Sequence, residues 1–241
     1  MFRLLKALPL TLALTALTFF ATSCGSSNQA QIRVINAIPD VPNNTPLDVD
    51  VNGTKIVTAL AFGGISPSTT PPATYTKVKA GSDTITAFVN GTTTNPVNNG
   101  TTSLSGSSQY TVVLNGRAAN NNPPGVLTDN NAAPTSGNLE FRVIDASVFT
   151  PADGFDVYIT PPSGDITGIT PQTIVIGQAT SYVSVANGSY NVVVIPHSGS
   201  IPSINQNYAE LDGSIRTVVI VDNPGGGGSG PATPLLFTDL N

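Results

Sequence analysis

The feature that most constrains this chain of 241 residues is an internal duplication with a period of about 106–110 residues. Arg33-Val-Ile-Asn-Ala37 matches Arg142-Val-Ile-Asp-Ala146, and four further blocks recur in the same order. The blocks begin at residues 33, 48, 78, 110 and 127 in the first half and at 142, 156, 185, 216 and 237 in the second. Chance similarity would not preserve both order and spacing, so each copy is predicted to be one structural unit of the same type.

The repeated blocks have the pattern of β-strands. In Leu47-Asp-Val-Asp-Val51 the apolar residues alternate with aspartates, which is the period of a half-buried strand. Asn52-Gly53 then supplies the positive φ angles of a tight hairpin turn. The pattern predicts seven strands in each copy, near 31–37, 47–52, 55–62, 74–80, 83–90, 109–115 and 125–129, and near 139–146, 155–160, 172–178, 180–186, 189–196, 215–222 and 235–240.

Seven short strands in about 100 residues favour an immunoglobulin-like sandwich. The predicted fold is therefore all-β, with two tandem Ig-like antiparallel β-sandwich domains after a signal peptide. We expect a lipoprotein signal peptide over 1–23, a tether over 24–30, a first repeat over 31–129, a linker over 130–138 and a second repeat over 139–241. The low-complexity segments 91–108 and 223–234 are predicted to be loops, and the short linker permits either a docked or a flexible pair.

The N-terminus has the organisation of a bacterial export signal. Arg3 and Lys6 precede an apolar run from residue 7 to residue 20, which is too short for a comfortable membrane span. Ala21-Thr-Ser-Cys24 then resembles a lipobox, which would make Cys24 the acylated first residue of the mature protein. Ala21 stands where lipoboxes usually have leucine, and Ala-Thr-Ser also satisfies the rule for ordinary signal peptidase.

Cys24 is the only cysteine in the chain, so no internal disulfide can form. A lone cysteine at the cleavage point is best explained as a lipid acceptor, and the alternative is an unmodified or intermolecular thiol. Gly25 rather than Asp follows it, which by the usual sorting rule implies delivery to the outer membrane. We therefore expect an exported protein held to the bacterial envelope, with the membrane as a partner through lipid on Cys24.

The first copy resembles the bacterial domain-of-unknown-function family 4397. The resemblance rests on Arg33-Val-Ile-Asn-Ala-Ile-Pro-Asp40, on Leu47-Asp-Val-Asp-Val-Asn-Gly53 and on the closing Leu127-Thr-Asp129. The second copy has Val148-Phe149 where the first has Pro39-Asp40. The resemblance implies exported, often tandem, Ig-like domains, and it implies no known activity.

Charge is distributed unevenly between the copies. The first holds five basic and five acidic residues, whereas the second holds two basic and nine acidic residues, interpreted here as a solvated acidic face. No basic patch is available to neutralise phosphates, so nucleic acid is not an expected partner.

The usual catalytic constellations are missing from the sequence. His197 is the only histidine, it lies in a turn-like segment, and the first copy has no equivalent histidine. No Gly-x-Ser-x-Gly nucleophile elbow occurs. One histidine and one cysteine cannot form an ordinary zinc site. We therefore predict no catalytic residues, no cofactor and no enzyme activity.

Calcium is harder to dismiss because it takes oxygen ligands. Asp40, Asp48 and Asp50 are weak candidates for a calcium site at one end of the first sandwich. The alternative is that Asp40 caps a turn and that the other two aspartates face water. No tryptophan is available as a sugar platform, and Tyr158 and Tyr182 are expected to pack at sandwich edges.

Arg33 and Arg142 occupy equivalent positions in the first strand of each copy. Their recurrence predicts a structural role, with a carboxylate partner such as Asp129 or Asp239 in the closing strand. The leading functional hypothesis is a non-catalytic, adhesion-like structural or interaction module, with an envelope protein or polysaccharide as its partner. The alternatives are a surface protein that binds a small ligand, either carbohydrate or calcium, and more remotely a hydrolase.

Overall fold

The structure is a computed structural model, and it describes residues 28–67, 74–209, 213–226, 231 and 234–239. The predicted signal peptide and Cys24 lie outside the described residues. The chain is all-β and forms two sandwiches, which confirms the predicted fold class. None of the helices within the described ranges is long and apolar enough to cross a membrane.

The described residues of the first repeat form nine strands in two sheets. They are β1 (Gln29–Asn36), β2 (Leu47–Val51), β3 (Thr54–Leu60), β4 (Ile65–Ser66), β5 (Thr76–Lys79), β6 (Gly81–Val89), β7 (Asn98–Leu104), β8 (Gln109–Leu114) and β9 (Gly125–Thr128). One sheet has the order β4-β1-β8-β9 with β5 also paired to β1, and the other has the order β3-β2-β6-β7. Short 3-10 turns lie at Pro42–Asn44 and Ala118–Asn120.

The second repeat has the same plan, with eight strands among the residues that the structure describes there. They are β10 (Asn138–Asp145), β11 (Phe155–Thr160), β12 (Gln172–Ile174), β13 (Val183–Ala186), β14 (Ser189–Pro196), β15 (Ile204–Ala209), β16 (Ile215–Ile220) and β17 (Leu235–Thr238). Its sheets have the orders β13-β10-β16-β17 and β12-β11-β14-β15. The isolated bridge between Ile144 and Ala179 takes the place that β4 has beside β1.

Three strands lie where the sequence predicted none, namely the two-residue strand β4 and the longer strands β7 and β15. β7 runs through the segment 91–108 that was predicted to be a loop, and β15 pairs with β14 in the second repeat. Each is an edge strand rich in Asn, Thr or Gln, so no apolar alternation marks it. Only a few of their side chains enter the cores, namely Leu104 of β7 and Ile204 and Tyr208 of β15, and the backbone ladder of the neighbouring strand keeps each segment extended.

One sheet of each repeat is mixed, and the other is purely antiparallel. The first strand of each repeat runs parallel to a late strand, with Arg33 opposite Thr111 in β1 and β8 and Arg142 opposite Thr217 in β10 and β16. The hairpin partners β9 and β17 then continue each sheet on the other side of β8 and β16. This arrangement places the opening and closing strands of a repeat in one sheet.

That sheet is buried on both faces in each repeat. Successive side chains of a strand point to opposite faces. In β1, Ile32 and Val34 pack in the core of their own sandwich, whereas Ile35 packs in a third core that contains residues of both repeats. The buried members of this shared core are Ile35, Ala37, Val113, Ile144, Ala146, Val219, Val221 and Phe237. The two repeats are therefore docked through these two inner sheets, in a four-layer stack.

Candidate functional site at the junction of the two repeats

A buried network of four charges lies at the centre of the junction. The Nη2 atom of Arg33 lies 2.7 Å from Asp239 Oδ1, and the Nη1 atom of Arg142 lies 2.8 Å from Asp129 Oδ1. Each arginine thus makes its shorter contact with the carboxylate of the other repeat. The contacts within a repeat are longer, at 3.5 Å from Arg33 to Asp129 and 3.7 Å from Arg142 to Asp239.

The network has an approximate two-fold relation between the repeats. Thr111 donates to Asp129, and the equivalent Thr217 donates to Asp239, at 2.7–2.9 Å. A tyrosine covers each guanidinium, since Arg33 lies 5.7 Å from the ring centroid of Tyr75 and Arg142 lies 4.8 Å from that of Tyr182. Thr111, Thr217, Tyr75 and Tyr182 were not predicted as members of this network. Each pair recurs at equivalent positions of the two repeats, and that recurrence was the signal that could have identified them.

The four charged side chains are almost completely removed from water, with 0–2% of each exposed. Burial alone would favour the neutral form of Arg33, but the carboxylates of Asp239 and Asp129 outweigh it and hold the pKa of Arg33 above its usual range. Two positive and two negative charges balance at this point. Separating the repeats would leave these charges with only their longer contacts, so the network favours one docked arrangement.

The three calcium candidates do not come together. Asp48 is 1% exposed, so the expectation that it faces water was wrong. Its carboxylate accepts from the Lys55 ammonium at 2.6 Å, from Ala59 N at 2.9 Å and from the Asn90 amide at 2.7 Å. Burial would raise the pKa of Asp48, but these hydrogen bonds lower it below its usual range.

Asp40 has separate partners, namely Ala118 N at 2.8 Å and the Arg117 guanidinium at 3.4 Å. No group of three or more His, Cys, Asp or Glu side chains within the described residues could hold a metal ion. The three aspartates therefore do not form the calcium site that the sequence suggested. The strand places Asp48 beside a lysine, and Asp40 caps the start of the Ala118–Asn120 turn.

His197 is not a simple solvated side chain. Half of it is exposed, and its Nδ1 atom lies 2.8 Å from Asp156 Oδ1. Thr173 donates to the same oxygen of Asp156 at 2.6 Å. The hydrogen bond to Asp156 raises the pKa of His197 above its usual value. Ser198 bonds to Asp153 rather than to His197, so these residues do not form a nucleophile and base pair.

Several acids of the second repeat are buried, so the expectation of a solvated acidic face was wrong for them. Asp145, Asp222 and Asp239 are all 0% exposed. Asp145 accepts from Thr150 Oγ1 at 2.7 Å and from Ser147 N at 3.0 Å, and Asp222 accepts from Ser147 Oγ at 2.5 Å. Burial, together with the nearby charge of Asp222, raises the pKa of Asp145 to about 7.

A groove opens on one side of the junction. Asn115, the segment 122–125 and the loop 176–178 line a space of about 380 Å³. The backbones meet at Gly125 and Gly177, since a Cβ on Gly125 would lie 2.8 Å from the Gly177 carbonyl oxygen. The loop is held to β10 because Gly177 N donates to Asp145 O at 2.8 Å and Asp145 N donates to Gln178 O at 2.9 Å.

The groove exists because the approximate two-fold relation is broken there. On the opposite side, Gly63 and Gly64 make the same backbone bonds to Asn36, and the side chain of Leu235 packs against Gly63. Leu235 pairs with Val219 as Gly125 pairs with Val113, so the two positions are equivalent. Leucine fills one side of the junction and glycine leaves the other side open.

The groove has an uncharged and polar lining. Asn115, Asn122 and Gln178 contribute carboxamides, and Pro123, Pro124 and the exposed Ile176 contribute apolar surface. Asn115 is only 4% exposed. Its amide nitrogen lies 3.1–3.3 Å from where Cβ atoms on Gly177 and Gly125 would stand. Hydrogen-bonding partners for these three carboxamides are absent among the described residues. A ligand with several donors and acceptors could satisfy them.

The two docked sandwiches define a tandem all-β protein. Its described residues contain no recognisable catalytic constellation. The chain belongs to the family described as domain of unknown function DUF4397, whose sequence model matches residues 30–158. That match covers the first repeat and continues into β11. No curated protein matches the chain.

Solved structures give only distant likenesses. A structure of α-glucan binding by a streptococcal virulence factor is 13% identical, with 81% of this chain and 94% of that chain covered and a TM-score of 0.26. The Bacillus anthracis TIE protein is 11% identical, with 81% and 34% covered and a TM-score of 0.23. A putative cell adhesion protein from Bacteroides fragilis is 10% identical, with 88% and 97% covered and a TM-score of 0.20. Likenesses at these TM-scores carry no argument about function.

Proposed function

We propose that this protein is a lipid-anchored component of the bacterial cell envelope and acts as a non-catalytic interaction module for an uncharged polysaccharide. The observation that carries the proposal is the junction groove, in which Asn115, Asn122 and Gln178 present unpartnered carboxamides between two docked repeats. Sites of this kind occur preferentially where two structural units meet.

The chemistry of the groove favours hydroxyl groups as ligands. A carboxamide both donates and accepts, as a sugar hydroxyl does, so the two groups can form paired hydrogen bonds. Pro123, Pro124 and Ile176 offer apolar surface to the C–H face of a sugar ring. No charged side chain lines the groove, so it offers nothing to compensate the desolvation of a charged ligand.

The proposed anchor rests on the N-terminal sequence. The basic residues, the apolar run and the single cysteine at position 24 form a lipoprotein export signal, and the residue after the cysteine favours the outer membrane. Several acyl chains on one residue would hold the protein to a bilayer, because each buried CH₂ contributes about 0.8 kcal/mol. The docked repeats would then present the groove at a set distance from that bilayer.

The groove is tested by NMR of the purified full chain in detergent micelles. Neutral oligosaccharides of glucose, mannose and N-acetylglucosamine are expected to shift the side-chain amide signals of Asn115, Asn122 and Gln178. Oligosaccharides of uronic acids should leave them unchanged. The double variant Asn122→Ala with Gln178→Ala should lose binding, whereas Gln206→Ala, which removes a carboxamide outside the groove, should retain it.

The proposal fails if none of the neutral oligosaccharides shifts these signals, or if the double variant binds as well as the wild type. The anchor is tested separately by cell fractionation. Wild-type protein is expected in the outer-membrane fraction and to incorporate labelled palmitate, whereas Cys24→Ser should do neither. Cross-linking in intact cells, with the same Cys24→Ser control, would reveal an envelope protein as the partner instead of a glycan.

A further inference from the structure

A second cavity, of about 340 Å³, lies inside the first repeat, away from the junction. It is lined by Val51, Asn52, Thr54, Ile56, Lys77, Val78, Lys79 and Asp83. The β2–β3 hairpin, the edge strand β5 and the beginning of β6 meet there. Apolar side chains form part of its wall, and charged groups of both signs belong to its lining.

The second repeat shows why this end of the first sandwich is open. Asp83 pairs with Thr102 in β6 and β7, and the equivalent pair in β14 and β15 is Tyr190 with Tyr208. In the second repeat both rings pack near Phe141, at centroid distances of 6.0 and 6.4 Å. The first repeat has no aromatic side chain at the corresponding positions, so the space between its sheets stays unfilled.

Asp83 is a buried carboxylate with an unused oxygen. The residue is 2% exposed, and its Oδ1 atom accepts from the Asn52 amide at 2.7 Å. Its Oδ2 atom has no hydrogen-bond partner in the described part of the chain. Leaving a buried charged oxygen unsatisfied is costly, so such groups normally have a donor. This oxygen is closed to water in the structure, so an ammonium group entering the cavity would supply a donor once the Asp83 side chain turns toward it.

Two lysines, opposite in charge to Asp83, line the same cavity. Lys77 and Lys79 are exposed residues of β5, and neither has an ion-pair partner among the residues that the structure describes. Two ammonium groups and one carboxylate leave the cavity lining with an excess of positive charge. A complementary ligand therefore carries one ammonium group, for Asp83, and a more strongly negative group, for the lysines.

We propose that this cavity binds a phosphoethanolamine group. The primary ammonium donates to Asp83 Oδ2 inside the cavity, and the phosphate lies against Lys77 and Lys79 at the surface. Phosphate suits this position because its several oxygens can accept from two lysines at once. The same chemical group occurs free in solution and as the headgroup of phosphatidylethanolamine.

The position of the cavity favours the lipid as the source. Lys79 pairs with Gln29 at the beginning of β1, where the chain enters the first repeat. Four residues lie between Cys24 and Gln29, and the five extended residue steps span at most about 18 Å. A lipid on Cys24 would therefore hold this end of the repeat near the bilayer. The choice of source thus rests on the proposed anchor, whereas the chemistry of the cavity does not.

The cavity itself is tested with soluble phosphoethanolamine, by calorimetric titration of the purified full chain in detergent micelles. Asp83→Asn keeps the shape of the side chain and the bond from Asn52 but removes the charge, so binding should fall at least tenfold. Asp50→Asn, which removes an acid that does not line the cavity, is the matched control and should bind as the wild type does. Phosphocholine, which has no N–H donor, should not bind.

Three results would overturn the proposal: no binding of phosphoethanolamine, equal binding by Asp83→Asn, or equal affinity for phosphocholine. The source is tested with the Cys24→Ser chain and vesicles. Vesicles of phosphatidylethanolamine with phosphatidylcholine should bind it, vesicles of phosphatidylcholine alone should not, and Lys77→Gln with Lys79→Gln should abolish the difference. Binding of the soluble group without vesicle preference would remove the lipid as the source. Failure of the palmitate labelling would overturn the anchor and with it the argument for the lipid as the source, but not the binding of soluble phosphoethanolamine.

Discussion

The two repeats of this protein use the same backbone plan but place different side chains at equivalent points. Asn36 and Gly116 of the first repeat correspond to Asp145 and Asp222 of the second. At this position of the first repeat the Asn36 amide donates to Leu60 O at 2.9 Å, and Asn36 and Gly116 carry no charge. In the second repeat two carboxylates are buried within reach of the same hydroxyl-bearing residue, Ser147. The duplicated fold therefore tolerates a change from a neutral site to an acidic one.

The openings of the molecule follow from the same comparison. Gly125 leaves a groove where the equivalent Leu235 fills the junction, and Asp83 leaves a cavity where the equivalent Tyr190 fills the sandwich. By contrast, the arginine, threonine, aspartate and tyrosine of the central network occur in both repeats. The shared residues hold the two repeats together, and the residues that differ create the candidate binding sites.

The largest expected effect comes from breaking the shared network. Arg142→Ala leaves Asp129 buried without its 2.8 Å partner, so the free energy of unfolding should fall by about 3–5 kcal/mol. Urea denaturation monitored by circular dichroism measures it, and Arg33→Ala should behave in the same way. Arg117→Ala, which removes a partly exposed ion pair with Asp40, should cost less than about 1 kcal/mol. An unchanged melting temperature for Arg142→Ala would rule out the structural role.

The second prediction concerns a variant in which Asp145 is replaced by asparagine, the residue at the equivalent position 36 of the first repeat. The pKa of Asp145 is raised from 3.8 to about 7 in the folded state, so the folded protein binds the proton more tightly than the unfolded chain does. The stability of the wild type should therefore fall as the pH rises from about 4 to about 7. Asp145→Asn removes the cost of burying the ionised carboxylate. The variant should therefore be more stable than the wild type at pH 8 by up to about 4 kcal/mol, at about 1.36 kcal/mol per pKa unit.

The reciprocal variant is the control for that prediction. Asn36→Asp introduces a buried carboxylate into the first repeat and should destabilise the protein at pH 8 more than at pH 5. Thermal denaturation across this pH range measures both variants. If Asp145→Asn keeps the pH dependence of the wild type, the raised pKa of Asp145 is not its cause.

A third and smaller effect is expected where leucine fills the junction. Leu235 is partly buried against Gly63, and Leu235→Ala should reduce the free energy of unfolding by about 1–2 kcal/mol through lost packing. Leu236 is the matched control, because it is 40% exposed on the neighbouring position of the same strand. Chemical denaturation should show a smaller loss for Leu236→Ala. Equal losses would mean that the leucine at 235 does not contribute to docking.

The smallest effect concerns His197, which corresponds to Asn90 of the first repeat. Asn90 bonds to Asp48 as His197 bonds to Asp156. Because the pKa of His197 is raised in the folded state, its contribution is complete below the unfolded value of 6.5 and is lost as the pH rises through the folded value. His197→Asn should keep the hydrogen bond and flatten the melting temperature between pH 6 and 8. A variant that melts with the wild-type pH dependence would contradict this.

Much of the architecture was accessible from the amino-acid pattern. The alternation in β2 and the Asn52-Gly53 turn predicted a hairpin that the structure contains. The uninterrupted run in Arg33-Val-Ile-Asn-Ala carried further information, because a strand buried on both faces does not alternate. The polar edge strands β7 and β15 were missed for a different reason, since most of their residues are polar, the few apolar ones do not form a recognisable alternation, and each strand depends on pairing with its neighbour.

The sequence by itself determined the duplication, the all-β class and the recurrence of Arg33 and Arg142, because these depend on local patterns and on their spacing. Only the tertiary structure decided that each arginine reaches the carboxylate of the other repeat. The same holds for the groove at Gly125 and the cavity at Asp83. A periodic pattern shows that a face is buried, but it does not show which surface covers it, and docking sets the distances between residues that lie far apart in the chain.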